Sequence, residues 1–149
     1  MPVLIACGGF LIAVLWMDLM FDVQVWPYRS AGELPEAVLA SIAGYYRRVT
    51  TEATPMNRLI AAVMMVGLIA LVIQLIDGPR GRAIPAILLL GGPVVLAQVR
   101  IVPNAVRLGS RRDSAAAQTA LARGIFRDHL LCLAAVTAFL TAQLASISP

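Results

Sequence analysis

The chain contains no lysine. Its twelve basic residues are all arginine, and it has one histidine, two cysteines and only 13% charged residues. Each shortage excludes something. One histidine cannot supply bis-histidine haem ligation within a single chain. Two cysteines, Cys7 and Cys132, form no spaced zinc motif. They are expected at depths that differ by roughly 15 Å or more at 1.5 Å per residue, whereas a disulfide needs Cα atoms within about 7 Å. The phosphate-binding and dinucleotide glycine patterns are missing, as are the Glu-x-x-His pairs of di-iron bundles and any support for a serine triad. A basic recognition stripe is absent too, so the pI near 9.8 does not indicate nucleic acid.

What the chain does have is long apolar runs. A soluble domain carries about 25% charged residues, and this chain is 60% hydrophobic with a mean hydropathy of +0.83. A helix needs about 20 residues to cross about 30 Å of hydrocarbon. Four blocks of that length predict helices over 3–26, 55–76, 83–102 and 125–147 in a single transmembrane domain, 1–149. The predicted fold class is all-α: an integral membrane four-helix bundle with short interfacial helices in two cytoplasmic loops. Pro35 is placed to open the first of these, with Val38, Ile42, Tyr45 and Val49 at helical spacing. The second is expected over 115–124, capped by Asp113 or Ser114, after Pro103-Asn104 closes the third span. Thr54 is the expected N-cap of the second span, and Gly91-Gly92-Pro93 predicts a kink in the third. Ala134, Ala138 and Ala142, beside Thr137, Thr141 and Ala145, form a stripe of small residues suited to helix packing.

The arginines set an orientation. Ten of the twelve flank the first and third connections, and only Arg80 and Arg82 flank the second. The positive-inside rule then puts both termini outside the cytoplasm. The N-terminus lacks a basic n-region and an Ala-x-Ala site, so no secretory signal is expected. Leu4-Ile5-Ala6-Cys7 has the letters of a lipobox, but no apolar segment of sufficient length precedes it.

Asp18 and Asp22 interrupt the first apolar block. A carboxylate in hydrocarbon costs about 2.5–3.5 kcal/mol on insertion scales, and residues four apart share one helix face. Both side chains must meet a partner, water or each other. With the threading above, Asn57, Arg58, Arg100, Asn104, Arg127 and His129 come to the same end of the bundle. Asp18 lies roughly 12 Å inside Trp26 along the helix, too deep for a short side chain to snorkel. Arg58 and Arg100 are its expected partners, in a structural Asp–Arg lock. The alternatives are a proton or ion site and a metal or redox site. For the metal, Asp18, Asp22, Asp128 and His129 would suit iron or manganese. Asp22 is expected to be ionised and paired with arginine, Asp18 to be the proton-carrying member, and His129 to be an interfacial hydrogen-bonding residue.

The segments Ile101-Val102-Pro103-Asn104-Ala105-Val106-Arg107-Leu108 and Phe126-Arg127-Asp128-His129 resemble those of small four-helix bacterial membrane proteins of the anthrone-oxygenase-like group. The resemblance implies Asn104, Arg127 and His129 as site residues and, for the oxygenase members, oxidation of polycyclic phenols without a metal. The Asp18/Asp22 pair departs from that pattern, as does Phe126 where the group would have tryptophan. The leading functional expectation is a non-enzymatic membrane helper or binding protein of the bacterial inner membrane. The alternatives are a cofactor-independent oxygenase acting on phenols or quinones and a proton- or ion-coupled transport subunit. No cofactor and no metal are expected. The expected partners are the lipid bilayer and a second membrane protein or another copy of the chain, with no nucleic acid.

Overall fold

The computed structural model describes residues 2–146, which form an all-α bundle. Among them are five helices: α1 (Pro2–Asp22), α2 (Glu36–Arg47), α3 (Thr54–Asp77), α4 (Arg80–Ser110) and α5 (Ala115–Ala145). All but α2 are long and apolar enough to cross a membrane. The end of the fourth predicted helix, at 147, lies outside the described residues.

Three boundaries differ from expectation. Pro103-Asn104 does not end the third span; α4 runs on to Ser110. A proline lacks an N–H, and its ring crowds the carbonyl four residues back. Here Pro93 and Pro103 each follow a wider π-type turn, Ile87–Gly91 and Ala97–Ile101, which moves that carbonyl aside. The backbone passes through Gly91-Gly92 with helical dihedrals, and the first of these π-type turns lies at the position of the expected kink. Secondly, the short helix expected over 115–124 is the first part of α5, one unbroken helix of 31 residues. Its only breaker, Gly124, costs a helix interior about 1 kcal/mol. The oxygen of Ser114 caps it, accepting from the N–H of Ala117 at 3.3 Å. Of the two short loop helices expected, α2 alone is a separate α-helix among the described residues. Thirdly, the N-cap of α3 is Ala53, with Thr54 already inside the helix.

Helix α1 is the centre of the bundle, packed against α5 on one side and α3 on the other, while α2 lies across the end of α4 and against α5. The buried face of α5 carries Ile125, Asp128, His129, Cys132, Val136, Phe139 and Gln143. The stripe of Ala134, Ala138 and Ala142 is exposed on the opposite side, where it floors a shallow groove. The packing expected of that stripe is made instead by Gly8 of α1, against the ring of Phe139. Cys7 and Cys132 are both buried and free.

The link between α1 and α2 is strapped to α5. The guanidinium of Arg123 donates to the carbonyls of Tyr28 at 2.8 Å and Ala31 at 2.7 Å. The N–H of Leu34 donates to the buried hydroxyl of Thr119 at 3.0 Å. At its other end α2 is fixed by Gly109 of α4, where an added Cβ would lie 2.8 Å from the backbone nitrogen of Arg47. Arg111, in the left-handed conformation after α4, pairs with Glu36. These contacts set the height of α2 against α1.

Candidate functional site

Asp18 and Asp22 point from successive turns of α1 toward α2 and α5. Consecutive residues on a helix diverge by about 100°, so Tyr45 and Tyr46 of α2 reach different aspartates. The Tyr45 hydroxyl donates to Asp18 Oδ1 at 2.7 Å, and the Tyr46 hydroxyl donates to Asp22 Oδ1 at 2.6 Å. The Tyr45 ring also stacks on Phe21, with centroids 4.0 Å apart. Burial, followed by the neighbouring carboxylates, pushes both phenols above their ordinary range, so they remain neutral donors.

His129 of α5 enters between the two aspartates. Its Nδ1 lies 2.6 Å from Asp22 Oδ2, and its Nε2 lies 3.7 Å from Asp18 Oδ2. The first distance is a short, charge-assisted hydrogen bond; the second is ion-pair range, too long for a hydrogen bond. An ionised carboxylate can only accept, so with Asp22 ionised the proton between them sits on Nδ1. The Nε2 position, facing Asp18, is then where a second proton is gained or lost. The Asp22 side chain is completely buried and that of His129 nearly so, while the Asp18 side chain keeps 15% of its surface exposed. Asp18 is therefore the most exposed of the three.

Arg100 of α4 approaches Asp128, next to His129, with Nε 2.8 Å from Oδ2. Its N–H is not aimed along that line, so the contact is ionic and not a directed hydrogen bond. Arg127 lies 3.6 Å from the same carboxylate. Asp128 is buried, and these two guanidiniums offset its charge.

The expected Asp–Arg lock is thus corrected. Asp18 and Asp22 are held by tyrosine and histidine, and arginine goes to Asp128. Arg58 is exposed and has no ion pair among the described residues. Asn57 is exposed and donates to the Thr50 carbonyl at 3.1 Å. Asn104 is half-buried on α4 and makes no hydrogen bond to the cluster among the described residues. His129, expected at the interface, is buried at the centre of the cluster, on the face of α5 turned to α1 and α2. Among the expected site residues the structure joins Asp18, Asp22 and His129, and joins Arg100 and Arg127 through Asp128. Tyr46 is the member that sequence reasoning missed; Tyr45 had been read as part of an apolar stripe. The available signal was a pair of adjacent tyrosines in the loop nearest the buried aspartates. Among the described residues no three His, Cys, Asp or Glu side chains group as a metal site. Comparison with family models, curated proteins and solved structures finds no match for this chain.

Proposed function

We propose that the protein is a non-enzymatic, proton-linked membrane protein, in which the protonation of one buried cluster sets how α2 is held against the bundle. One observation carries this reading: His129 stands between two carboxylates, bonded to Asp22 at 2.6 Å and facing the more exposed Asp18 at 3.7 Å. Two carboxylates and one imidazolium leave one negative charge, and a further proton makes the group neutral. In a bilayer that difference is large, because unpaired charge is strongly disfavoured there. The groups that face the cluster are Asp18 and Asp22 from α1, Tyr45 and Tyr46 from α2, and Asp128 from α5 with its Arg100 counter-ion from α4. Both tyrosines bind α2 through carboxylate acceptors, so a change of protons on Asp18 or His129 alters the bonds that hold this helix. A proton-coupled transport subunit and a proton-responsive binding helper share this chemistry.

The arginine distribution supports a bacterial inner-membrane placement with the cluster in the cytoplasmic half and both termini outside. The oxygenase reading would need a phenol-sized cavity against His129; the clefts on the outer side of α5 and at the opposite end of the bundle lie away from it.

The test is infrared difference spectroscopy of the protein in vesicles, stepped between about pH 5 and 9, a window that brackets an ordinary imidazole. A coupled carboxyl and imidazole signal is expected in the wild type, and its loss in His129→Gln. A pH-independent spectrum would overturn the reading. Oxygen-dependent turnover of an added anthrone-type phenol by the purified protein would replace it with the oxygenase.

A further inference from the structure

At the end of the bundle away from His129, a cleft of about 550 Å³ opens between α1, α3 and α5, beside the α3–α4 turn. That volume lies within the range of about 300–1,000 Å³ typical of small-molecule sites. One wall is apolar, formed by the exposed Val66, Ile69 and Ile73 of α3 with the buried Leu4 of α1. Its mouth is polar, with Gln74, Asp77, Arg82 and Gln143. The arrangement runs from polar to apolar along α3, from the helix end inward.

Two amides in this cleft are incompletely used. Gln143 is 7% exposed, and its side chain has no hydrogen-bond partner among the described residues. Gln74 holds a buried Oε1 that accepts no hydrogen bond. A buried carbonyl oxygen left so costs about 1–3 kcal/mol. At the rim Asp77 and Arg82 have opposite charge, are both exposed, and make no salt bridge among the described residues. An occupant with an ammonium and a phosphate answers both charges, with the ammonium N–H groups donating to the Asp77 carboxylate. An acyl chain matches the apolar wall.

The geometry points to a binding site for a zwitterionic phospholipid with a primary ammonium headgroup, seated between α1, α3 and α5. The ammonium donates to Asp77, the phosphate faces Arg82, Gln143 donates to an ester carbonyl, and one chain lies along Val66, Ile69 and Ile73.

The experiment is native mass spectrometry of the detergent-purified protein offered phosphatidylethanolamine, phosphatidylcholine and phosphatidylglycerol in equal amounts. Phosphatidylethanolamine should be retained most, phosphatidylcholine less because its ammonium has no N–H, and phosphatidylglycerol least. Asp77→Asn should abolish the preference over phosphatidylglycerol and weaken that over phosphatidylcholine. Ile73→Trp changes an exposed position, leaves folding intact and should block retention of the lipid. His129→Gln, at the other end, should leave the preference unchanged. Equal retention of the three lipids, a preference for phosphatidylglycerol, or retention unaffected by Ile73→Trp would overturn the assignment.

Discussion

At the arginine-rich end, α1, α2 and α5 close around Asp22 so fully that its side chain has no exposed surface. Helix α3, the most apolar of the four spans, is fully buried at only two of its residues, Gly67 and Leu71. Within a bilayer, lipid tails are as apolar as leucine, so hydrophobicity inserts a helix without drawing it to its neighbours. Close approach comes from small residues and from polar groups that must be satisfied. Helix α5, the least hydropathic span, carries Asp128, His129 and Gln143 on its buried face, and it makes the bundle's main contact with α1. Hydropathy and burial thus run in opposite directions in this protein.

The strongest way to break the contrast is Asp22→Ala. It leaves the His129 Nδ1–H and the Tyr46 hydroxyl buried without an acceptor, and removing one partner of a buried pair costs about 3–5 kcal/mol. Loss of folded yield is expected, read by thermal unfolding in detergent; a midpoint equal to wild type would show that the cluster does not hold the bundle. Tyr46→Phe removes a hydrogen bond to a charged group and should cost about 1.5–3 kcal/mol. Tyr45→Phe should cost less, since its site is half-buried and the stacking on Phe21 remains. Reversal of that order in denaturant titrations would place the latch on Asp18. Gly109→Ala drives a Cβ onto the Arg47 backbone and should cost about 1–3 kcal/mol, as overpacking does. Protease accessibility of the α2 loop would rise with it. Val72→Ala, on the open face of α3, should change stability by less than about 0.5 kcal/mol, as exposed substitutions do. A larger effect would mean that α3 is covered in the membrane by something beyond this chain.

The tyrosines give a pH test with a defined sign. Their folded-state pKa values are raised above the ordinary value of about 10. Such a group contributes its stability fully below the unfolded value and loses it as pH rises through the folded one. Stability should therefore fall above about pH 10, where unfolded phenols ionise and the folded ones do not. Ultraviolet titration should show two of the three tyrosines resisting ionisation until the bundle unfolds. Phenolate absorbance from all three in the folded protein would contradict the buried hydrogen bonds to Asp18 and Asp22.

The length and spacing of the apolar blocks determined the four spans, because insertion depends on composition summed over about 20 residues, and that sum is local. The same local logic made Asp18 and Asp22 a shared, costly face in need of a partner. It also marked Pro35 correctly as the start of a helix. It misjudged Pro103 and Gly124, since a π-type turn absorbs the one and the straps from Arg123 and Thr119 hold the other within α5. The choice of partner was decided only by the tertiary structure. Arg58, Arg100, Tyr46 and His129 all lie near the same end in sequence terms. Which of them reaches Asp22 depends on the rotation of α5 and the height of α2, and those are set by contacts such as Gly8 on Phe139 and Gly109 on Arg47, between residues far apart in the chain.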